Sequence, residues 1–268
     1  GSGFAHTLAV LPDDAPLDHP SVFSTLRTGD VSGDGRADAC VRTPQGMVCF
    51  EGTGHGLGQR ITGPPLTDAQ GWNETRYFSA VRLADLDGHA RMDLCARGAD
   101  GLRCYPSTGN GFGPARLLAA LSDAAGFSDV NRYGTLRLGD IDGDGRADVC
   151  ARSPEGMSCW RSNESGFGER VLGPAWTDDA GWADWHRWST IRLADVDGDG
   201  RADLCARESE SFRCYLYDGA GFGHAIAGPA LPDAEWARRD RFGSLRLADV
   251  DGDGAADLCG RGPAGIEC

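Results

Sequence analysis

Asp140-Ile-Asp-Gly-Asp-Gly-Arg-Ala-Asp148 is the stretch from which the rest of the chain can be read. Nine-residue copies stand at 30–38, 85–93, 195–203 and 249–257, at steps of 55, 55, 55 and 54 residues. Cysteine keeps the same period as Cys40/Cys49, Cys95/Cys104, Cys150/Cys159, Cys205/Cys214 and Cys259/Cys268, each pair nine apart. A fixed period of this length marks a supersecondary unit repeated along the chain. Before each acidic stretch runs a short β-like segment such as Thr135-Leu-Arg-Leu, and after it another such as Val149-Cys-Ala-Arg, then a Pro/Gly turn and the second cysteine. A further strand falls near Gly-Phe-Gly (Phe112, Phe167, Phe222, with Leu57 in the first repeat), and no amphipathic helix of ten residues stands out.

Four strands, A to D, in about 55 residues make a propeller blade. The fold class read from the sequence is therefore all-β, a five-bladed β-propeller of four-stranded blades forming one domain over 1–268. The opening Gly-Ser-Gly-Phe4 aligns with Gly109-Asn-Gly-Phe112, and the chain stops at Cys268 on a C strand. The N-terminal strand is thus expected to complete the last blade and remove the open edges of the array.

The acidic stretches have the ligand register of a calcium loop: carboxylates at positions 1, 3, 5 and 9, a main-chain carbonyl at 7 and glycine at 6 for the turn. The candidate ligands are Asp30, Ser32, Asp34, Arg36 and Asp38, then Asp85, Asp87, Arg91 and Asp93. They continue as Asp140, Asp142, Asp144, Arg146 and Asp148, as Asp195, Asp197, Asp199, Arg201 and Asp203, and as Asp249, Asp251, Asp253, Ala255 and Asp257. An EF-hand would place Glu at position 12, where Val41, Ala96, Ala151, Ala206 and Gly260 stand instead, so the loops join strands. They hold 18 of the 40 acids, leaving 22 against 26 bases, so the whole acidic excess lies in them. Uncompensated carboxylates at this density repel one another. The expectation is up to five calcium ions, with 85–93 the weakest site because His89 and Ala90 replace Asp and Gly. His89 among carboxylates reads as an eroded calcium site rather than a zinc site.

All 26 bases are arginine and the formal charge is −14, which opposes phosphate-driven binding to nucleic acid. No apolar run approaches the roughly 20 residues that span a bilayer, so membrane insertion is not expected. The ten cysteines read as five cross-strand disulfides if the B–C turn holds an even number of residues. A type I turn with a glycine bulge at Thr43-Pro-Gln-Gly46 or Ser153-Pro-Glu-Gly156 would put them out of phase. Each bridge would contribute about 2 to 3 kcal/mol by the chain-entropy estimate. Disulfides place the protein outside the cytosol, secreted or extracellular.

Arginines recur three residues before each acidic loop (Arg27, Arg82, Arg137, Arg192, Arg246) and two after each first cysteine (Arg42, Arg97, Arg152, Arg207, Arg261). Repetition in every blade fits pairing with carboxylates or carbonyls between blades. Thirteen residues before the loops stand Leu17, Trp72, Phe127, Trp182 and Trp236, and the fourth repeat adds Trp185 and Trp188. Aromatic faces beside Asp, Asn and Arg suit a sugar, whereas a repeated aromatic also serves as a core wedge. Trp72, Phe127, Trp182, Trp185 and Trp236 are the candidate ligand residues, Trp185 being the hardest to explain as core. The six histidines occupy non-equivalent repeat positions and neither Gly-x-Ser-x-Gly nor His-Glu-x-x-His occurs, so an enzyme is not expected. Asn73-Glu-Thr75 and Asn163-Glu-Ser165 match glycosylation sequons.

Tyr133-Gly-Thr-Leu-Arg-Leu-Gly-Asp-Ile-Asp-Gly-Asp-Gly-Arg-Ala-Asp-Val149 and its four copies resemble FG-GAP or VCBS repeats, the units of integrin-alpha-like β-propellers. The resemblance covers essentially the whole chain and implies calcium in the loop between strands A and B. It departs from the family where Gly-Ala-Pro after strand B is replaced by segments such as Ala151-Arg152-Ser153, and in showing five units where seven are usual. The functions it implies are a lectin-like module binding a glycan or cell-surface ligand through the face opposite the calcium loops, a protein-adhesion module, or a non-catalytic scaffold attached to a secreted polysaccharide-acting enzyme.

Overall fold

Short β-prone runs between turn-forming Gly, Pro and Asp give short strands, the second of most sheets buried along nearly its whole length, and the computed structural model, which describes residues 18–268, contains nineteen among them. Residues up to Ala125 form one compact unit and Gly126–Cys268 a second.

In the first unit, β1 (Arg27–Gly29), β2 (Asp38–Thr43), β3 (Gly46–Gly52) and β4 (Leu57–Thr62) make one antiparallel sheet in sequence order. A second consists of β5 (Arg82–Ala84), β6 (Asp93–Gly98), β7 (Gly101–Tyr105) and β8 (Arg116–Leu118). The other unit repeats the meander as β9 (Arg137–Gly139), β10 (Asp148–Ser153), β11 (Gly156–Asn163) and β12 (Gly166–Leu172), followed by β13 (Arg192–Ala194), β14 (Asp203–Arg207), β15 (Ser211–Leu216) and β16 (His224–Ala230). Its last sheet holds β17 (Arg246–Ala248), β18 (Asp257–Arg261) and β19 (Ile266–Glu267). These are the blades of a five-bladed β-propeller. The expected closing strand at residues 1–4, and Leu17 of the aromatic column, lie outside the described residues.

The B–C turns settle the phase of the cysteines. Thr43 pairs with Gly46, Gly98 with Gly101 and Ser153 with Gly156, leaving two turn residues and no bulge between the strands. Gly46, Gly101 and Gly156 take φ of 127°, 135° and 124°, which a side chain would resist. Cys40 and Cys49, Cys95 and Cys104, Cys150 and Cys159, and Cys205 and Cys214 consequently face each other across their hairpins, and these four pairs and Cys259–Cys268 are disulfide-bonded.

Most members of both arginine columns serve packing, whereas Arg246 and Arg261 of the last blade are exposed, Arg261 pairing with Asp240. Arg27, Arg137 and Arg192 donate through Nε to the carbonyls of Val81, Ile191 and Leu245 in the following blade. Arg42, Arg97, Arg152 and Arg207 are buried and pair with Asp68, Asp123, Asp178 and Asp233 at 2.7, 2.8, 2.7 and 2.7 Å. Those aspartates form their own column at the period of the repeat, in the connection that follows each D strand. In front of every A strand lies a single helical turn, Pro20–Phe23, Thr75–Phe78, Val130–Tyr133, Trp185–Trp188 or Arg239–Phe242, which ends on the recurrent aromatic.

Candidate metal loops and a candidate ligand cavity

Each acidic loop is shaped by its own carboxylates. Asp140 accepts from the N–H of Gly143 at 2.7 Å and of Gly145 at 2.8 Å, and the pattern recurs at Asp30, Asp195 and Asp249. Position 6 needs a left-handed backbone: Gly35, Gly145, Gly200 and Gly254 have φ from 83° to 95°, and Ala90 is forced to 58°. The position-9 carboxylate is a clasp. Asp148 accepts from Ile141 N–H at 2.9 Å and from Ser162 N–H at 2.7 Å, which ties the loop to strand β11, and Asp38, Asp93 and Asp203 do the same.

Consecutive loops within a unit are joined through the main chain. The position-8 N–H donates to the position-1 carbonyl of the preceding loop, Met92 to Asp30, Ala202 to Asp140 and Ala256 to Asp195, each at 2.7 Å.

Carboxylate oxygens converge to within 4.8 Å in four loops: Asp85, Asp87 and Asp93; Asp140, Asp142 and Asp148; Asp195, Asp197 and Asp199; Asp249, Asp251 and Asp257. These clusters can hold metal ions. Their donors are hard oxygens without thiolate, which favours calcium or magnesium over zinc. Burial pushes the carboxyls of Asp93, Asp148 and Asp203 up to about 6, 7 and 6, with neighbouring aspartates adding to the rise. A bound dication would offset both costs. In 30–38 the ligand set does not gather in this way: Asp34 is turned to Arg36 at 2.7 Å, while Ser32 Oγ faces Asp30 and Asp38. In 85–93, His89 Nδ1 lies 2.7 Å from Asp87 Oδ1.

The aromatic column is largely internal. Phe127, Trp182 and Trp236 are buried, Trp182 stacking on Trp176 with ring centroids 4.6 Å apart. Trp185 is 49% exposed, edge-on to Phe242 at 4.9 Å and beneath the Arg239 guanidinium. Trp72 is 6% exposed, yet its ring forms a wall of a cavity of about 480 Å³ in the first unit.

That cavity is built from two segments. Gln70, Trp72, Glu74 and Tyr77 come from the connection between β4 and β5, and Gly98, Ala99, Asp100 and Arg103 from the β6–β7 hairpin. Strand β6 places the hairpin at the opposite end from the acidic loop, five residues and about 17 Å away. Arg103 Nη2 donates to Asp100 at 2.6 Å and Arg76 pairs with Glu74 at 2.6 Å, so both acids carry a counter-charge. The Tyr77 hydroxyl donates to Asp123 at 2.7 Å, and burial together with that carboxylate raises its pKa. The result is an aromatic wall beside amide, carboxylate and guanidinium groups with little net charge. Gln70, Glu74, Tyr77, Asp100 and Arg103 were not among the residues selected from the sequence. At Tyr77 the signal was departure from the repeat, for it stands where the later repeats have Arg132, Arg187 and Arg241.

Residues 140–206 and 195–259 each match the FG-GAP-like repeat family. No curated protein matches the chain. Among solved structures it is similar to a lectin of Agrocybe aegerita described by its specific recognition of non-reducing terminal N-acetylglucosamine, with a TM-score of 0.74 and 23% identity, over 88% of this chain and 60% of the lectin. It is also similar to part of the Tc holotoxin pore of Photorhabdus luminescens, with a TM-score of 0.59 and 21% identity, over 97% of this chain and 11% of that one. Both likenesses are of fold.

Proposed function

From the FG-GAP-like repeats of residues 140–259 and the cavity of the first unit, we propose that the protein is a secreted, calcium-stabilised carbohydrate-binding module without catalytic activity. The cavity carries this reading: its volume of about 480 Å³ suits one or two sugar rings, and its lining suits their two kinds of surface. Trp72 offers an apolar surface to ring C–H groups, while Gln70, Glu74, Asp100 and Arg103 offer partners for hydroxyls or an acetamide; Tyr77, its ring covered by Arg76 and Arg97, backs the wall. The near-neutral lining favours an uncharged glycan, and the lectin of like fold points to terminal N-acetylglucosamine as the first sugar to test.

Calcium would neutralise the crowded carboxylates and hold the turn between strands A and B. In this reading the loops at the far end of β6 stabilise the blade and take no part in contacting the ligand. Five disulfides support an oxidising compartment. No helix among the described residues is long and apolar enough to cross a membrane.

A glycan array probed in calcium buffer tests the assignment. Binding to glycans ending in N-acetylglucosamine, lost in Asp100→Ala and Arg103→Ala and kept in Trp185→Ala, supports it. An array with no signal for the folded, calcium-loaded protein overturns it.

A further inference from the structure

Three loops, 140–148, 195–203 and 249–257, keep all four aspartates, so their ligand sets do not rank them; the guanidinium groups around them do. In 140–148, Arg146 pairs with Asp144 and Arg161 Nε stands 3.6 Å from Asp142 Oδ2. Arg161 occupies the bulge of β11 between Trp160 and Ser162, a feature that re-aims a side chain. Its guanidinium is held there by the Tyr217 hydroxyl, by the Gly219 carbonyl at 3.1 Å and by the Tyr217 ring, whose centroid lies 5.6 Å away. The other blades have Glu51, Pro106 and Leu216 in this column, so the arginine is particular to one loop.

In 195–203 there is one pair, Arg201 with Asp199 at 3.5 Å. The Arg201 stem also runs along the preceding loop, where a Cβ built on Gly143 would stand 3.4 Å from its Cγ. In 249–257 the corresponding residue is Ala255, close to Gly198 of the preceding loop and without charge. Among the described residues no arginine pairs with Asp249, Asp251, Asp253 or Asp257.

We propose that these arginines are resident counter-cations that grade the calcium affinity of the loops, with 249–257 tightest, 195–203 next and 140–148 weakest of the three. The inference rests on the calcium reading above. A guanidinium already on a ligand carboxylate must be displaced or must share it with the incoming ion, whereas Asp253 is free of such a competitor. Because these pairs lie at the surface, half-buried around 140–148 and exposed at 195–203, each is expected to change affinity about two- to fivefold, the scale of a surface ion pair.

Calorimetric titration of calcium into the EDTA-stripped full chain provides the test, with Ala255→Arg, its neutral control Ala255→Gln, and Arg161→Gln. Ala255→Arg should weaken the tightest step about two- to fivefold while Ala255→Gln leaves it in place, and Arg161→Gln should strengthen a weaker step by a similar factor. Calcium binding by the wild type with Ala255→Arg and Ala255→Gln indistinguishable, or with Arg161→Gln weakening every step, overturns the grading and leaves calcium binding standing. A wild-type titration without calcium binding overturns both.

Discussion

Ala90 holds a φ of 58° where the other four loops have glycine. A left-handed backbone costs an L-residue about 1 to 2 kcal/mol, part of which glycine returns through greater freedom in the unfolded chain. Ala90→Gly should therefore raise stability by about 1 kcal/mol, and the mirror change Gly145→Ala should lower it by a similar amount. No atom lies within 4 Å of a Cβ built on Gly145, so backbone strain alone is tested there. Urea midpoints in EDTA would check both, and a stabilising Gly145→Ala would contradict the assigned turn geometry. Asp148 is the other residue whose role is sharply defined. Asp148→Ala orphans the N–H groups of Ile141 and Ser162, the latter buried on β11, and should cost about 2 to 4 kcal/mol. Unfolding of the metal-free protein measures this without reference to an ion.

At the scale of the element, the blade is held by devices that differ in how visible they are in sequence. The acidic loop and the disulfide are local, each complete within ten residues; the loop was legible from spacing and composition, the disulfide only on condition of the phase of the turn. The two-residue turn was not, because Thr43-Pro-Gln-Gly46 is compatible with either phase of pairing; the left-handed glycine and the direct Thr43 to Gly46 register decide it. The partner of the second arginine column was missed for another reason. Arg152 and Asp178 lie 26 residues apart on either side of two strands, and only the fold brings them to 2.7 Å. Asp178 also receives Arg132 at 2.9 Å, so it serves the buried guanidinium of its own blade and the helical turn before strand β9. Removing it strands Arg152 in the core, and such a loss typically costs about 3 to 5 kcal/mol. Asp178→Ala should therefore lower the unfolding midpoint much more than Glu169→Ala, whose carboxylate is exposed and only 4.0 Å from Arg161. Equal effects of the two substitutions would remove the argument that these aspartates anchor the connections. The cavity was hidden for the same physical reason: Glu74 and Asp100 belong to separate segments 26 residues apart, and only the fold brings them to one wall.

For the whole molecule the decisive quantity is where its charge sits. The net −14 arises from loops that hold 18 of 40 acids, and the structure draws three carboxylates together in each of four of them. Without bound cations this concentrated repulsion should weaken the folded state, and mobile salt should relieve part of it, since the Debye length falls from about 10 Å at 0.1 M to about 3 Å at 1 M. Calcium should act differently, by occupying the clusters. Each site held at a hundredfold excess over its dissociation constant contributes about 2.7 kcal/mol. The expected outcome of thermal unfolding is a midpoint raised strongly by millimolar calcium, raised modestly by 1 M sodium chloride in EDTA, and nearly insensitive to sodium chloride once calcium is present. Magnesium at equal concentration should do less, because its smaller, octahedral coordination suits these carboxylate-rich loops poorly. The disulfides close the B–C hairpins and not the acidic loops, so the calcium response should persist when they are reduced, from a lower starting midpoint. If sodium chloride and calcium raise the midpoint equally at matched ionic strength, the loops merely screen, and the proposal of specific calcium sites fails for every blade at once.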